Sequence, residues 1–250
     1  MAGSATSKGH EVVPDEASGW TEMGLFDAIY GLRATRIYQD RPLPGDVLER
    51  ILRSATMACS SGNTQPWEFV VVADPVKKGL LKQRLAEAFS GIDAQRAQTA
   101  EQLRDGAGRP VTGHKAVDNV DRVGAIVMVF WNPDRGVRFQ DEYVEEADGS
   151  LTGVRPIPGG RGSSLFPACQ NMMLAAHALG VSSLFTTFFG LVEDDVKRIL
   201  NVPKRMFLEC AVFLGYGDED LKRPRRKAVR DVAHLDDWDQ PFDVRGPGER

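Results

Sequence analysis

A layered α/β or α+β domain is the fold class this sequence predicts. Short β-branched and aromatic runs alternate with helix-period segments along the chain. One run, residues 124–131, is apolar at every position after Gly124, the pattern of a strand covered on both faces. The 250 residues suffice for one large core or two small ones, so a single domain over residues 21–250 is expected.

Each element has a local cause. Residues 1–20 are small and polar, with no apolar stretch behind Met1 of the kind a signal peptide carries, and are expected to form a flexible tail. Residues 23–33 read as a first helix. Asp46 opens a second, with Glu49 at capping-box spacing and Val47, Leu48, Ile51, Leu52, Ala55 and Ala58 at helical intervals. Residues 68–73 form a strand. Asp74 as N-cap and Pro75 at N1 start a helix expected to reach about Ser90. Residues 91–121 are polar and lack a period. After the strand 124–131, residues 132–162 are rich in Gly, Pro and charge, a length of loop that is usually functional or disordered. A helix over 163–179 ends at Gly180, which suits a left-handed C′ position. A strand at 182–188, a helix at 193–200, a strand at 207–215 and an irregular tail follow. Ala168, Met172, Met173, Leu174, Ala175, Ala176 and Leu179 encircle helix 163–179, so it must be buried centrally or against a partner.

Composition excludes several function classes. A net charge of −4 argues against nucleic-acid binding, and no apolar run approaches the roughly 20 residues of a membrane span. Cys59, Cys169 and Cys210 are an odd number, far apart in apolar neighbourhoods, which predicts reduced thiols in a cytoplasm. His10, His114, His177 and His234 make no metal-ligand spacing, so no metal is expected.

Four segments carry candidate chemistry. Cys59-Ser60-Ser61-Gly62-Asn63-Thr64-Gln65 is a dense run of donors and acceptors between a helix and a strand. It reads as a turn with its own side-chain bonds, or as a loop pinned by Pro66-Trp67 that presents hydroxyls and amides to a flat heterocycle. Arg33 and Arg36, three residues apart, suit a solvated helix end or a grip on phosphate or a planar ring edge. Gln170-Asn171 inside an apolar helix predicts one exposed amide and one bonded to a neighbouring loop. The run 222–227 (KRPRRK) is a solvated face or a phosphate site.

Together these segments resemble the nitroreductase superfamily of FMN-dependent enzymes, over residues 25–238. "RATRIYQDRPLP" is similar to its opening R-S-x-R-x-F…P-V-P segment. "ILRSATMACSSGNTQPWEFVVV" resembles its helix ending in A-P-S-x-x-N-x-Q-P-W and the strand after it. "SSLFPACQNMMLAAHALGVSSLFTTF" resembles its central helix and following strand, and "LNVPKRMFLECAVFLGYG" its L-G-I-P…G-Y segment. Cys59 stands where the family usually has Pro, and Ala34 where it usually has Ser.

The resemblance implies a three-layer α-β-α fold of the α+β class, with a central mixed, mainly antiparallel sheet. It also implies an intertwined homodimer whose two flavin sites lie at the interface. Arg33 and Arg36 are implied contacts of the FMN phosphate and of the pyrimidine side of the ring, with Ala34 and Thr35 between them. Ser60, Ser61 and Asn63 would line the ring and ribityl chain, with Cys59 and Gln65 beside them. Cys59 is expected as a small buried thiol. Arg226, with Arg225, would close on the phosphate. Thr186 and Thr187 complete the implied cofactor contacts, together with Lys115 as the ring-contacting lysine before the central strand. The implied activity is ping-pong hydride transfer from NADH or NADPH to a small electron-poor acceptor, a nitroaromatic or quinone. No protein acid or base is needed, so no catalytic residue is named. Residues 91–121 and 132–162, with Phe139 and Tyr143, would cover the substrate. A specialised dehydrogenase, oxidase or dehalogenase of the same fold, or a flavin-storage protein, are the alternatives.

Overall fold

The computed structural model describes residues 23–99, 114–136, 144–152, 161–222 and 224–242. The expected tail at 1–20 and the aromatics Phe139 and Tyr143 lie outside the described residues. The chain forms two compact units, Met1–Glu219 and Asp220–Arg250.

In the first unit four strands build one sheet: β1 (Trp67–Val72), β2 (Ala125–Trp131), β5 (Ser182–Thr186) and β6 (Phe207–Gly215), in the order β1-β2-β6-β5. Every neighbouring pair of these strands is antiparallel. Among the described residues, the one parallel pairing is an isolated bridge between Ala34 and Ser183 at the β5 edge. β2 lies between β1 and β6 and is buried along its whole length, as its unbroken apolar run requires.

Helices cover both faces. On one side pack α2 (Gly45–Thr56) and α5 (Gly162–Ala178). Their Ile51, Ala55, Leu165, Ala168 and Met172 meet Val127, Val129 and Trp131. On the other side pack α3 (Pro75–Thr99), α4 (His114–Asp118) and α6 (Glu193–Leu200), with Leu81, Leu85, Val117 and Val196 against Ile126, Met128 and Phe130. The odd and even positions of β2 thus feed opposite layers, the period-two rule of a strand. Each fully buried aliphatic or aromatic side chain contributes about 1.5–3 kcal/mol. The three-layer α+β arrangement is the expected one.

Several local expectations change. The first helix, α1 (Leu25–Gly31), is shorter than residues 23–33. The Asp46–Glu49 capping box does not form: the N-cap of α2 lies two residues earlier, at Pro44, with no side-chain cap. Asp74 does cap α3, its Oδ1 accepting the N–H of Val76 at 2.7 Å and of Lys77 at 3.3 Å. That helix continues past Ser90 to Thr99, and α4 forms within the supposedly unpatterned 91–121. Within 132–162 a short hairpin forms from β3 (Val144–Glu145) and β4 (Leu151–Thr152). The strand predicted at 182–188 stops at Thr186 and passes into a 3-10 turn, Phe188–Val192. α5 ends as expected: Val181 N–H reaches Ala176 O at 2.8 Å and Gly180 N–H reaches His177 O at 3.0 Å, a Schellman closure.

In the second unit, Val229–Asp231 is a 3-10 turn, His234 bridges to Pro241, and the His234 and Trp238 rings lie 4.5 Å apart.

Candidate functional site

The polar loop after α2 is a tight, strained turn. Gly62, Asn63 and Gln65 have φ of +57°, +53° and +47°. Gly accepts that conformation freely and Asn tolerates it, whereas a residue such as Gln costs about 1–2 kcal/mol there. The turn is closed from within: Asn63 N–H donates to Ser60 O (3.0 Å), Thr64 N–H to Ser61 O (3.1 Å) and Gln65 N–H to Ser60 Oγ (3.1 Å). Ser61 N–H donates to Ser164 Oγ at 3.3 Å, which ties the loop to the first turn of α5. Pro66 and Trp67 are buried, and Pro66 O accepts the N–H of Asn132 at 2.7 Å. Ser61, Asn63 and Gln65 stay exposed, and Ser60 is half-buried.

Cys59 is exposed, not the buried thiol expected. It precedes the turn, where the chain has left the core side of α2. The other two cysteines are far apart in sequence only: Cys169 of α5 and Cys210 of β6 are buried with their sulfurs 3.5 Å apart. The hydrogen bond with the neighbouring Cys169 sulfur, then burial, push the Cys210 thiol pKa up, so Cys210 stays protonated.

The arginine segment lies along the start of β5. Thr35 is buried, and its N–H donates to Ser183 O at 3.0 Å, while its own carbonyl accepts Tyr38 Oη at 2.7 Å. Arg33 Nη1 donates to the carbonyls of Tyr30 and Leu32, both at 2.7 Å, and Arg36 Nη1 to Ala34 O at 3.2 Å. Arg33 therefore closes the carbonyl end of α1, as a solvated helix end would. Yet among the described residues neither guanidinium is paired with a carboxylate, so both keep their charge for another anion. His177, on the last turn of α5, packs on Gly31, where a β-carbon would come within 2.4 Å of Nε2. Desolvation, then the charge of Arg33, lowers the His177 pKa.

These two groups do not meet within one chain. The loop 59–65 hangs on Ser164, and Arg33 sits by His177, thirteen residues further along α5. At 1.5 Å per residue that is about 20 Å. β5 runs back alongside α5, and Phe166 of α5 meets Phe185 near the end of β5 at 5.5 Å. Thr186 and Thr187 therefore lie toward the loop end of α5. Thr186 is buried with Oγ1 accepting the N–H of Phe188 at 3.1 Å, and Thr187 is exposed. Lys115 is exposed on α4, in the other helical layer, and no bond among the described residues joins it to the loop. Arg225 and Arg226 are exposed in the second unit, with Arg226 Nη1 donating to Arg225 O at 3.3 Å. Gln170 is exposed and Asn171 Nδ2 donates to Ser54 O at 3.3 Å, the expected split, although the acceptor belongs to helix α2 and not to a loop.

The fold and these segments agree with a match to the nitroreductase family over residues 29–216. The chain belongs to the nitroreductase family. A relative from Archaeoglobus fulgidus, named an NADH dehydrogenase/NAD(P)H nitroreductase, is 25% identical over 214 residues, 84% of this chain and 96% of its own. An iodotyrosine deiodinase from Haliscomenobacter hydrossis is 27% identical over 208 residues, 79% of this chain and 83% of its own. Among solved structures, the NADPH:FMN oxidoreductase of Vibrio harveyi superposes with a TM-score of 0.62 at 16% identity, covering 88% of this chain and 80% of that one. This nitroreductase-family chain therefore shares the fold of flavin-dependent enzymes.

Thr64 belongs to the donor-rich loop already legible in the sequence, whereas Ser164, Ser183 and Glu219 are participants that only the structure brings in. No local pattern marks Ser164, Ser183 or Glu219, because their partners lie 103 to 183 residues away in the sequence.

Proposed function

We propose that this family member is an FMN-dependent oxidoreductase that passes hydride from NADH or NADPH to an electron-poor small molecule, a nitroaromatic or quinone, by a ping-pong cycle in the cytoplasm. One observation carries the cofactor reading. Among the described residues, only Thr64 Oγ1, Ser183 Oγ and Arg205 Nε are buried side-chain polar atoms without a partner. Thr64 belongs to the polar loop, and Ser183 pairs with Ala34 in the arginine segment. A buried unpaired hydroxyl costs about 1–3 kcal/mol, which a ligand's polar groups would recover. The donor set, guanidiniums bonded to carbonyls and not to a carboxylate at one place and hydroxyls and amides at the other, suits a phosphate and a flat polar ring.

Bound FMN would supply the hydride chemistry itself. Arg33 and Arg36 would hold the phosphate and pyrimidine edge and favour the form in which negative charge develops on the ring. Thr35 would hold that segment in place through its bond to Ser183. Ser60, Ser61, Asn63 and Gln65 would line the ring, Thr186 and Thr187 would border it, and Arg225 and Arg226 would add to the anion grip. The separation of about 20 Å along α5 supports a site completed by two copies of the chain. So does α1, which exposes Leu25, Phe26, Ile29 and Tyr30 and buries only Ala28. Residues 91–121 and 132–162 would govern acceptor choice.

The deiodinase relative favours a second reading, reductive dehalogenation of a halogenated phenol at the same site. Purified protein should be yellow and release FMN on heating. Anaerobic stopped-flow mixing with NADH and then NADPH should bleach it, and nitroaromatic, quinone and halotyrosine acceptors should restore the colour at different rates. Release of FAD or of no flavin would sink the proposal. Bleaching by neither nicotinamide would leave flavin storage as the function.

A further inference from the structure

One carboxylate holds the segment that carries the two arginines. Glu219 Oε1 accepts the backbone N–H of Arg36 and that of Ile37, the latter at 3.2 Å. The pairing continues beside it. Asp218 N–H donates to Ile37 O at 3.0 Å, Gln39 N–H to Tyr216 O at 2.9 Å, and Gln39 Nε2 to Gly217 O at 3.1 Å. Residues 36–39 and 216–219 are thus zipped together, and Glu219 closes the end at Arg36. Two consecutive amides turned toward one oxygen form a donor pair that also suits an anionic phosphate oxygen. Here the chain itself provides the oxygen, while the guanidiniums of Arg33 and Arg36 rest on carbonyls.

We propose that Glu219 is a positioning and specificity residue for this anion grip. Its carboxylate fixes the backbone from which Arg36 projects, and its charge subtracts from the positive potential that the segment presents. The site would then hold a phosphomonoester through its guanidiniums, at less than the affinity two uncompensated cations would give. This rests on the reading of Arg33–Arg36 as the FMN phosphate grip.

The test separates geometry from charge. Flavin is stripped from the full chain, and FMN and riboflavin are titrated into wild type, Glu219→Gln and Glu219→Ala by fluorescence quenching. Riboflavin lacks the phosphate, so the ratio of the two affinities isolates the grip. Gln keeps a carbonyl oxygen for both amides and removes the charge, so the preference for FMN should rise about fivefold, the effect of one charge acting through hydrated surface. That gain should shrink as salt is raised. Ala removes the acceptor, leaves two amides unpaired and should lower the preference below wild type. A rise in both variants overturns the proposal, because Glu219 would then only compete with phosphate. An unchanged ratio in Glu219→Gln overturns it too. Should Glu219→Ala fail to fold, the Gln ratio and its salt dependence decide alone. A wild-type chain with no preference for FMN over riboflavin sinks the grip reading and this role together. A wild-type preference that neither variant alters sinks the role only.

Discussion

The two ends of α5 carry different donor sets on the same scaffold. At its start, Ser164 holds a loop of uncharged hydroxyls and amides bent into three left-handed positions. At its finish, His177 lies under a segment whose donors are guanidiniums. The first end gets its precision from backbone strain closed by short-range hydrogen bonds. The second gets it from long-range pairing, Thr35 to Ser183 and Arg36 to Glu219, with charge left over. In the proposed flavin site, shape and neutral donors would match a polar ring face and full charges would hold the phosphate, and one helix keeps the two donor sets apart.

If α5 is the common beam, damage at its middle must reach both ends. Met172→Ala removes a fully buried side chain from that helix and should lower unfolding free energy by about 2–5 kcal/mol in urea titration. Loss of FMN retention should accompany it. Damage at one end should instead be selective. Arg33→Ala is expected to weaken FMN binding by about 1.5–3 kcal/mol while riboflavin binding stays near wild type. Equal losses for both flavins would mean that the arginine end does not read the phosphate.

The loop end should respond to backbone change without any change of charge. Gly62→Ala meets no atom closer than 3.8 Å, so its cost is conformational, about 1–2 kcal/mol at φ +57°. Weaker binding of both FMN and riboflavin should follow, and binding that is unchanged for both would detach this loop from the ring.

The smallest effect concerns pH. The His177 pKa is lowered in the folded chain by desolvation and then by Arg33, so the folded state disfavours the proton that the unfolded state accepts. The stability linked to neutral His177 is fully present above about pH 6.5, the unfolded value, and is lost as pH falls toward the lower folded value. Melting temperatures of His177→Gln should therefore be flatter than those of wild type below pH 6.5. Parallel curves would show that this histidine carries no such linkage.

What sequence alone determined was local. The alternating apolar runs placed all four strands of the sheet to within two residues at each end, because strand period and β-branched composition act over a few neighbouring positions. The Asp74 cap and the Gly180 stop were legible for the same reason: both are bonds between residues two to five apart. The donor-rich loop and the arginine pair were visible as chemistry. Tertiary structure decided the rest. Pro44, not Asp46, starts α2, because tertiary contacts fix where a helix begins as firmly as capping does. Cys169 and Cys210 meet only because α5 lies across β6. That the loop and the arginines sit at opposite ends of α5, and that Glu219 reaches back 183 residues to Arg36, follows from how three layers stack. No periodicity encodes such meetings, since the free energy that creates them comes from burying whole faces, and the polar groups at the rim are brought together as a consequence.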